Sequence, residues 1–335
     1  DAWVVWTLTG GAEFRCDWSN ASRTQLFDLR RGCWSEPVCE AFGVDAACLP
    51  QVTDSDGLFG MTDLGGFLPA PVPIHGVLGD SHAALFAQGC HSRGMAKATY
   101  GTGSSVMMNV GDEFVASSHG LSSSLAWRMD GVTEYVLEGN VSYAGAVKTW
   151  LRDDLELINN PEEVTDLCYA ANPASRVYFV PAFTGLGAPH WDMYARGTMV
   201  GLTRGTTKAH IVRAALEGIA YQVKDLLDAM EMDSGRTLSV LRVDGGASVS
   251  DFLMQFQADI LRKPIDRPKM VETTAFGAAF LAGLSAGLWS DVSEIAALRQ
   301  SEKVFTPAMD LESAEKYHGE WLRAVERAKK WEKAQ

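Results

Sequence analysis

The stretch GDSHAALFAQGCHSRGMAKATYGTGSSVMMN, residues 79–109, brings two kinds of chemistry close together in the chain. Asp80 stands at the start of an apolar, helix-like run, and a carboxylate can take a proton from a hydroxyl. The Gly-Thr-Gly turn of Gly101–Gly103 lies between two strand-like segments. Glycine has no Cβ, so such a turn lets backbone N–H groups approach a phosphate closely. An acid beside a phosphate-binding turn predicts phosphoryl transfer to an alcohol.

Asp80 also has a purely structural interpretation. Asp80 or Ser81 would cap a helix over Ala83–Gln88. The two interpretations are compatible, because a cap places the side chain at the positive end of the helix dipole. Ser81 and His82 would then be polar neighbours able to contact a substrate, although a single histidine is more often a structural residue.

A second glycine-rich turn, Asp244–Ala247, lies between an apolar strand-like segment and a helix-like one. A nucleotide can rest on the N–H groups at such a helix terminus. Neither turn matches the GxxxxGK[ST] or GxGxxG patterns, so each is weak evidence alone. Gly145 lies within a helix-like segment, where glycine costs roughly 0.5–1 kcal/mol relative to alanine. A ligand or another backbone close to Gly145 would explain that cost.

Composition excludes several classes of function. The 335 residues carry a net charge of −13 without any basic run, which argues against binding to nucleic acid or acidic membranes. The six cysteines are scattered without zinc-ligand spacing and favour free thiols in a reducing cytoplasm over disulfides. No segment has the apolar length of a membrane span or the pattern of a signal peptide. The chain opens on Asp1 within an apolar run, so we expect it to be a piece of a longer protein.

Strand-like and helix-like segments alternate, which predicts an α/β class. We expect loops at residues 116–124 and 183–197. We expect strands over residues 97–110, 135–138, 177–182, 199–203 and 239–243. We expect helices over residues 141–158, 207–232, 249–261, 273–288 and 311–333.

Five longer motifs resemble those of the FGGY carbohydrate kinases, most of all their glycerol kinase branch. The motifs are TYGTG (99–103), VYFVPAFTGLGAPHWDMYARG (177–197), GLTRGTTKAH (201–210), LRVDGGA (241–247) and ETTAFGAAFLAG (272–283). The resemblance runs from about Asp1 to Trp289 with few gaps.

The resemblance implies an actin-like ATPase (ribonuclease H-like) fold that binds ATP and Mg²⁺ and phosphorylates a polyol or sugar hydroxyl. Residues 1–90 would be the C-terminal part of the substrate domain, and residues 91–335 the complete nucleotide-binding domain. Asp80 resembles the catalytic base, with an indirect role toward the metal. The acceptor would contact Asp80, Ser81, His82 and Ser105. The nucleotide would contact Thr102, Gly103, Gly145, Thr149, Gly245, Gly246 and Ser250.

The chain departs from glycerol kinases at several of these positions. Ser81 and Ser105 stand where those enzymes usually carry Gln and Phe, which predicts a wider and more polar acceptor pocket. Thr149 and Ser250 replace the usual Gln and Asn. The family's Asp-x-Gly-Thr phosphate loop is absent before Asp80. Two alternatives therefore remain: a kinase for a ketose such as xylulose, and a non-catalytic nucleotide-binding fragment. The oligomeric state stays open, and a homo-oligomer is possible.

Overall fold

A computed structural model of the chain describes residues 1–160, 163–174 and 176–332. The helices are α1 Ala2–Leu8, α2 Trp18–Ala21, α3 Glu36–Phe42, α4 Asp80–Ala87, α5 Gly145–Thr149, α6 Glu163–Ala170, α7 Lys208–Ser234, α8 Asp251–Leu261, α9 Thr274–Ser285, α10 Val292–Leu298 and α11 Leu311–Ala328. The strands are β1 Arg15–Asp17, β2 Phe27–Asp28, β3 Cys33–Trp34, β4 Gln51–Thr53, β5 Gly60–Thr62, β6 Val72–Ile74, β7 Ala96–Tyr100, β8 Ser104–Gly111, β9 Ser122–Met129, β10 Val132–Val141, β11 Tyr178–Val180, β12 Thr198–Val200, β13 Leu241–Asp244, β14 Ile265–Pro268 and β15 Ser301–Phe305.

A seven-stranded mixed sheet organises the larger part of the molecule, in the order β15-β14-β13-β7-β8-β10-β9. Strand β13 pairs in parallel with β14 and β7, and the remaining pairs are antiparallel. Helices cover both faces of the sheet, so its central strands are apolar on both sides. In β8, Val106 and Met108 pack toward the α7 side, whereas Met107 packs with Leu85 of α4 and Leu281 of α9. The α/β prediction is therefore confirmed.

The long helix α7 is defined by local signals at both ends. Thr207 caps it, and the side chains of Thr207 and His210 form a reciprocal capping box. Gly235 ends it with φ of 62°, a left-handed conformation that suits glycine. The sequence predicts this helix to within two residues at each end.

Other boundaries differ from the prediction. The predicted helix over residues 141–158 is too long, because Val141 is the last residue of β10 and only α5, followed by the π-helical turn Trp150–Asp154, is helical. Strand β9 begins inside the predicted loop 116–124, and its edge pairing with β10 was missed. Helix α11 ends at Ala328, and Lys333, the predicted last residue, lies outside the described residues.

All six cysteines are free thiols, as predicted. Among the helices described, none is both long and apolar enough to cross a membrane.

Candidate active site

Asp80 is the first residue of α4, and its side chain is exposed. The N-cap is Gly79, which arrives in an extended conformation, so neither Asp80 nor Ser81 takes the capping position. The Asp80 carboxylate instead accepts a hydrogen bond of 2.6 Å from the backbone N–H of Ser81. A carboxylate in the first turn is stabilised by the positive end of the helix dipole. Asp80 is therefore a side chain fixed at the helix start, with a carboxylate oxygen open to solvent.

The helix start is anchored by a buried network from the first strand. Asp17 is fully buried and accepts hydrogen bonds from the Ser19 hydroxyl at 3.0 Å and the Ser55 hydroxyl at 2.8 Å. The Ser19 oxygen in turn accepts the backbone N–H of Gly79 at 2.8 Å. Burial raises the pKa of Asp17, although its hydrogen bonds act in the opposite direction. Residues 60 positions apart in the chain thus fix where Asp80 sits.

His82 lies behind Asp80 and is only 3% exposed. Within the described part of the chain, its Nε2 has no hydrogen-bond partner. Burial, reinforced by the positive charges of Arg23 and Lys97, lowers the pKa of His82 to about 3 against the opposing effect of Asp80. A Cβ at position 79 would lie 2.8 Å from its Nδ1, so Gly79 makes room for the ring. His82 is therefore a neutral imidazole with unused hydrogen-bonding capacity.

A cleft of about 740 Å³ opens around Asp80, Ser81 and His82. Its wall also carries the ion pair between Arg23 Nη1 and Glu138 Oε2, at 2.9 Å. No sequence pattern indicated Arg23. Glu138 did carry a signal, because it is a charged residue within the apolar strand segment of residues 136–141.

Ser105, the fourth predicted acceptor residue, is not among the residues that line this cleft. It lies on β8, where its hydroxyl and that of Thr99 accept hydrogen bonds from Lys97 Nζ at 3.2 and 3.0 Å. Lys97 is fully buried, and burial lowers its pKa against the attraction of Asp244 and Glu138. An acceptor contact by Ser105 stays a prediction.

The Gly101–Gly103 turn joins β7 to β8, and the start of α5 packs directly on it. The N–H of Gly145 donates to the Gly101 carbonyl at 2.9 Å, and that of Ala146 donates to the Thr102 carbonyl at 3.0 Å. A Cβ at position 145 would lie 2.6 Å from the Gly101 oxygen. The glycine in α5 is thus explained by the close approach of another backbone.

The second glycine turn contacts the first. Gly245 has φ of +83°, and a Cβ there would lie 2.7 Å from the Tyr100 carbonyl oxygen. Before it, Asp244 is buried, and its Oδ2 accepts hydrogen bonds from Gln88 Nε2 at 2.9 Å and from the Thr273 hydroxyl. Its Oδ1 has no partner among the described residues. The two turns predicted to bind phosphate therefore lie side by side.

A second cleft, of about 870 Å³, opens over these turns. Five of the seven predicted nucleotide residues line it: Thr102, Gly145, Thr149, Gly246 and Ser250. Gly103 and Gly245 are not among the lining residues. Ser250 also caps α8, where its hydroxyl accepts the Leu253 N–H at 3.4 Å. The lining residues that the sequence analysis missed include Tyr143, Lys148, Trp150, Asp154, Thr165 and Phe183.

Helix α4 runs from the first cleft to the end of β13, beside the second glycine turn. It begins with Asp80 in the first cleft and is followed by Gln88, whose amide also donates to the Val243 carbonyl beside Asp244. Eight helical residues span about 12 Å. The backbone of α9 lies so close to α4 that a Cβ at Gly277 would collide with the carbonyl of Ala83. A rigid helix thus sets the position of the acid relative to the glycine turns.

The oxygen ligands present fit Mg²⁺, which is usually held by one or two carboxylates together with substrate phosphates. Asp80 is an exposed carboxylate, and Asp244 carries an unpaired oxygen beside the second turn. No group of three or more metal-ligating side chains occurs among the described residues.

Comparison with protein families identifies the family to which this chain belongs. The model described as the FGGY family of carbohydrate kinases, C-terminal domain, matches residues 96–286, and the model of the N-terminal domain matches residues 1–87. The chain belongs to the FGGY family of carbohydrate kinases. The family prediction is confirmed. The domain boundary expected between residues 90 and 91 stays a prediction.

Relatives of the FGGY chain include proteins named glycerol kinase from Alkaliphilus oremlandii (strain OhILAs) and Carboxydothermus hydrogenoformans (strain ATCC BAA-161 / DSM 6008 / Z-2901). They are 52% and 51% identical to it over 332 residues. Each alignment covers 99% of this chain but 66% of the relative. The FGGY chain therefore spans about two thirds of the length of these curated relatives.

Solved structures agree with this assignment. Plasmodium falciparum glycerol kinase with ADP has a TM-score of 0.90 at 36% identity, covering 98% of this chain and 65% of that one. Ligand-bound xylulose kinase from Lactobacillus acidophilus has a TM-score of 0.82 at 24% identity over the same shares, which shows the fold alone. The actin-like ATPase fold expected of the FGGY chain is confirmed.

Proposed function

We propose that the protein containing this chain transfers a phosphoryl group from ATP to a hydroxyl of a polyol or sugar. The observation that carries the proposal is the course of α4, which starts with Asp80 in one cleft and leads to Gln88, bonded to Asp244 beside the glycine turns of the other. The acid and the phosphate-binding turns are thus held at a fixed separation. Proximity of this kind is the main requirement of phosphoryl transfer.

In this proposal Asp80 orients the acceptor hydroxyl and accepts its proton at a carboxylate oxygen. His82 is neutral across the physiological pH range and offers its unpaired ring nitrogen to a second substrate hydroxyl. The backbone N–H groups of Thr102 and Gly246 hold phosphate oxygens in the second cleft. Bound ATP supplies the phosphoryl group, and Mg²⁺ neutralises charge on its phosphates. Asp80 and Asp244 are the carboxylates available near that metal, Asp80 indirectly.

The acceptor is a small polyol or sugar, with glycerol as the first candidate because the relatives at about 50% identity are named glycerol kinase. One observation favours a larger ketose or polyol: the first cleft, of about 740 Å³, is much larger than a three-carbon acceptor and also carries the polar side chains of Ser81 and His82. Turnover of glycerol, erythritol, xylulose and ribulose, followed by coupled ADP release, separates the two. A preference for xylulose or ribulose over glycerol would reject the glycerol assignment.

The Asp80→Asn substitution tests the base. In a form of the protein extended to the length of its relatives, turnover should fall by about 10²–10⁴-fold, the usual contribution of a general base. ADP affinity, measured by calorimetry, should stay within about twofold, because Asp80 lies in the other cleft. Asp112→Asn is the matched control, since Asp112 is exposed at the end of β8 and lines neither cleft. Turnover of Asp80→Asn at the wild-type rate would remove Asp80 from this role.

A non-catalytic nucleotide-binding fragment is the alternative outside enzymes. ADP binding by this chain together with no turnover by the extended form would favour it. Cytoplasmic location, the lack of nucleic-acid binding and the oligomeric state, a homo-oligomer included, stay predictions.

A further inference from the structure

Lys148 lines the second cleft, one helical turn beyond Gly145 on α5 and next to Thr149. Its side chain is half-buried. Over residues 1–160, 163–174 and 176–332, its ammonium makes neither a hydrogen bond nor an ion pair that would compensate the charge. A half-buried ammonium without a partner is costly, because the charged form loses part of its hydration.

In the part of the chain that the structure describes, no carboxylate pairs with Lys148. Burial lowers its pKa, and the nearby Cys168 thiol opposes that effect. That thiol is itself buried, which raises its pKa to about 12, so it is uncharged at neutral pH. The other charged residue on the described wall of the cleft, Asp154, is exposed to solvent. No anion among the described residues therefore compensates the ammonium, which leaves it available to a bound one.

Helix geometry indicates which part of the cleft the ammonium serves. Side chains in an α-helix lean toward the N-terminus of the helix, over the residues three and four positions earlier. For Lys148 those residues are Ala144 and Gly145, which sit on the carbonyls of Gly101 and Thr102. Gly145 has no side chain to block the approach. Helix geometry therefore directs the stem of Lys148 toward the start of α5, which packs on the first glycine turn.

We propose that Lys148 is a nucleotide-binding residue whose ammonium pairs with a phosphate oxygen of a bound nucleoside di- or triphosphate. This rests on the proposed function, since it assumes that the second cleft is the nucleotide site. The sequence pattern did not indicate Lys148, because a lysine within an amphipathic helix is usually a solvated surface residue. Only the tertiary structure shows that Lys148 lines a cleft.

The expected effect follows from the strength of a charge-assisted hydrogen bond, roughly 1.5–3 kcal/mol, which corresponds to about a 10- to 100-fold change in affinity. In Lys148→Met, the apolar stem is kept and the charge is lost, so ADP should bind at least about tenfold more weakly. Adenosine should bind within about twofold of wild type, because it has no phosphate. Lys148→Arg keeps the charge and should bind ADP more tightly than Lys148→Met.

The experiment is titration calorimetry of this chain with ADP and with adenosine, at low and at moderate salt. Lys316→Met is the matched control, because Lys316 is exposed on α11 and should change neither affinity. Lys148→Gln serves as a second neutral variant, and retained adenosine binding shows that the cleft has folded. Wild-type ADP affinity in both neutral variants, or equal losses for ADP and adenosine, would overturn the role of Lys148. A wild-type chain that binds neither ligand would overturn the proposed function instead.

Discussion

Replacing Ser19 with alanine removes a single buried hydroxyl that holds two distant parts of the chain together. The hydroxyl donates to Asp17 at 3.0 Å and accepts the Gly79 N–H at 2.8 Å. Ser19 is fully buried, so water cannot readily take its place. The substitution breaks the connection between the first strand and the start of α4.

The magnitude follows from these two contacts. The Gly79 N–H loses its acceptor, and an unsatisfied donor in this part-buried setting costs up to roughly 1–3 kcal/mol. Asp17 loses one donor but keeps the backbone N–H groups of Ser19 and Asn20 and the Ser55 hydroxyl, so this loss is about 1 kcal/mol. We therefore expect a free energy of unfolding lower by about 2–4 kcal/mol. Because Asp80 follows Gly79, turnover of the extended protein should fall as well.

Urea unfolding measures the change as a shift of the midpoint at an unaltered m-value. Ser313→Ala is the matched control, because Ser313 also donates its hydroxyl to an aspartate, Asp310, but on the exposed start of α11. That control should lose less than about 0.5 kcal/mol. A loss below about 1 kcal/mol in Ser19→Ala, with turnover unchanged, would refute the view that this network positions Asp80.

Two further substitutions test the scaffold. Gly277→Ala should lower the free energy of unfolding by about 1–3 kcal/mol or more, because the new methyl group meets the Ala83 carbonyl. Gly319→Ala is the control: no atom lies within 4 Å of the new Cβ, so the free energy of unfolding should rise by about 0.5–1 kcal/mol. Thermal melts of both variants measure these changes. Asp225→Asn should destabilise by about 2–4 kcal/mol at pH 7, because the buried carboxylate accepts hydrogen bonds from His190 and His318 at 3.1 and 2.7 Å. Burial alone would raise the pKa of Asp225, but its hydrogen bonds outweigh burial and hold the pKa below its usual range. This stabilisation is therefore present above the pKa of an unfolded aspartate, about 4, and is lost as the pH falls further. Urea unfolding between pH 7 and pH 3 should therefore show the two proteins converging, and a constant difference would contradict the assignment.

The predictions from sequence succeeded where the signal is local. The caps Thr207 and Gly235 of α7 and the Gly101–Gly103 hairpin turn are set by residues within a few positions of one another. They failed where a neighbour distant in sequence decides. The predicted helix over residues 141–158 is shortened because Val141 completes β10 opposite Ser104. Strand β9 was missed for another reason, since its signal is local: it joins β10 through the two-residue turn Asp130-Gly131.

The candidate site divides in the same way. The sequence by itself determined the chemical groups: the carboxylate of Asp80, the two glycine turns and the residues expected around them. Only the tertiary structure decided which of those groups contact one another and which are buried. It explains Gly145 by the Gly101 carbonyl and places Ser105 against Lys97. It also leaves the His82 Nε2 without a partner among the described residues and places Lys148 on the wall of the second cleft. The physical reason is that burial, charge compensation and close backbone approach depend on residues far apart in the chain, and local sequence patterns carry no record of those contacts.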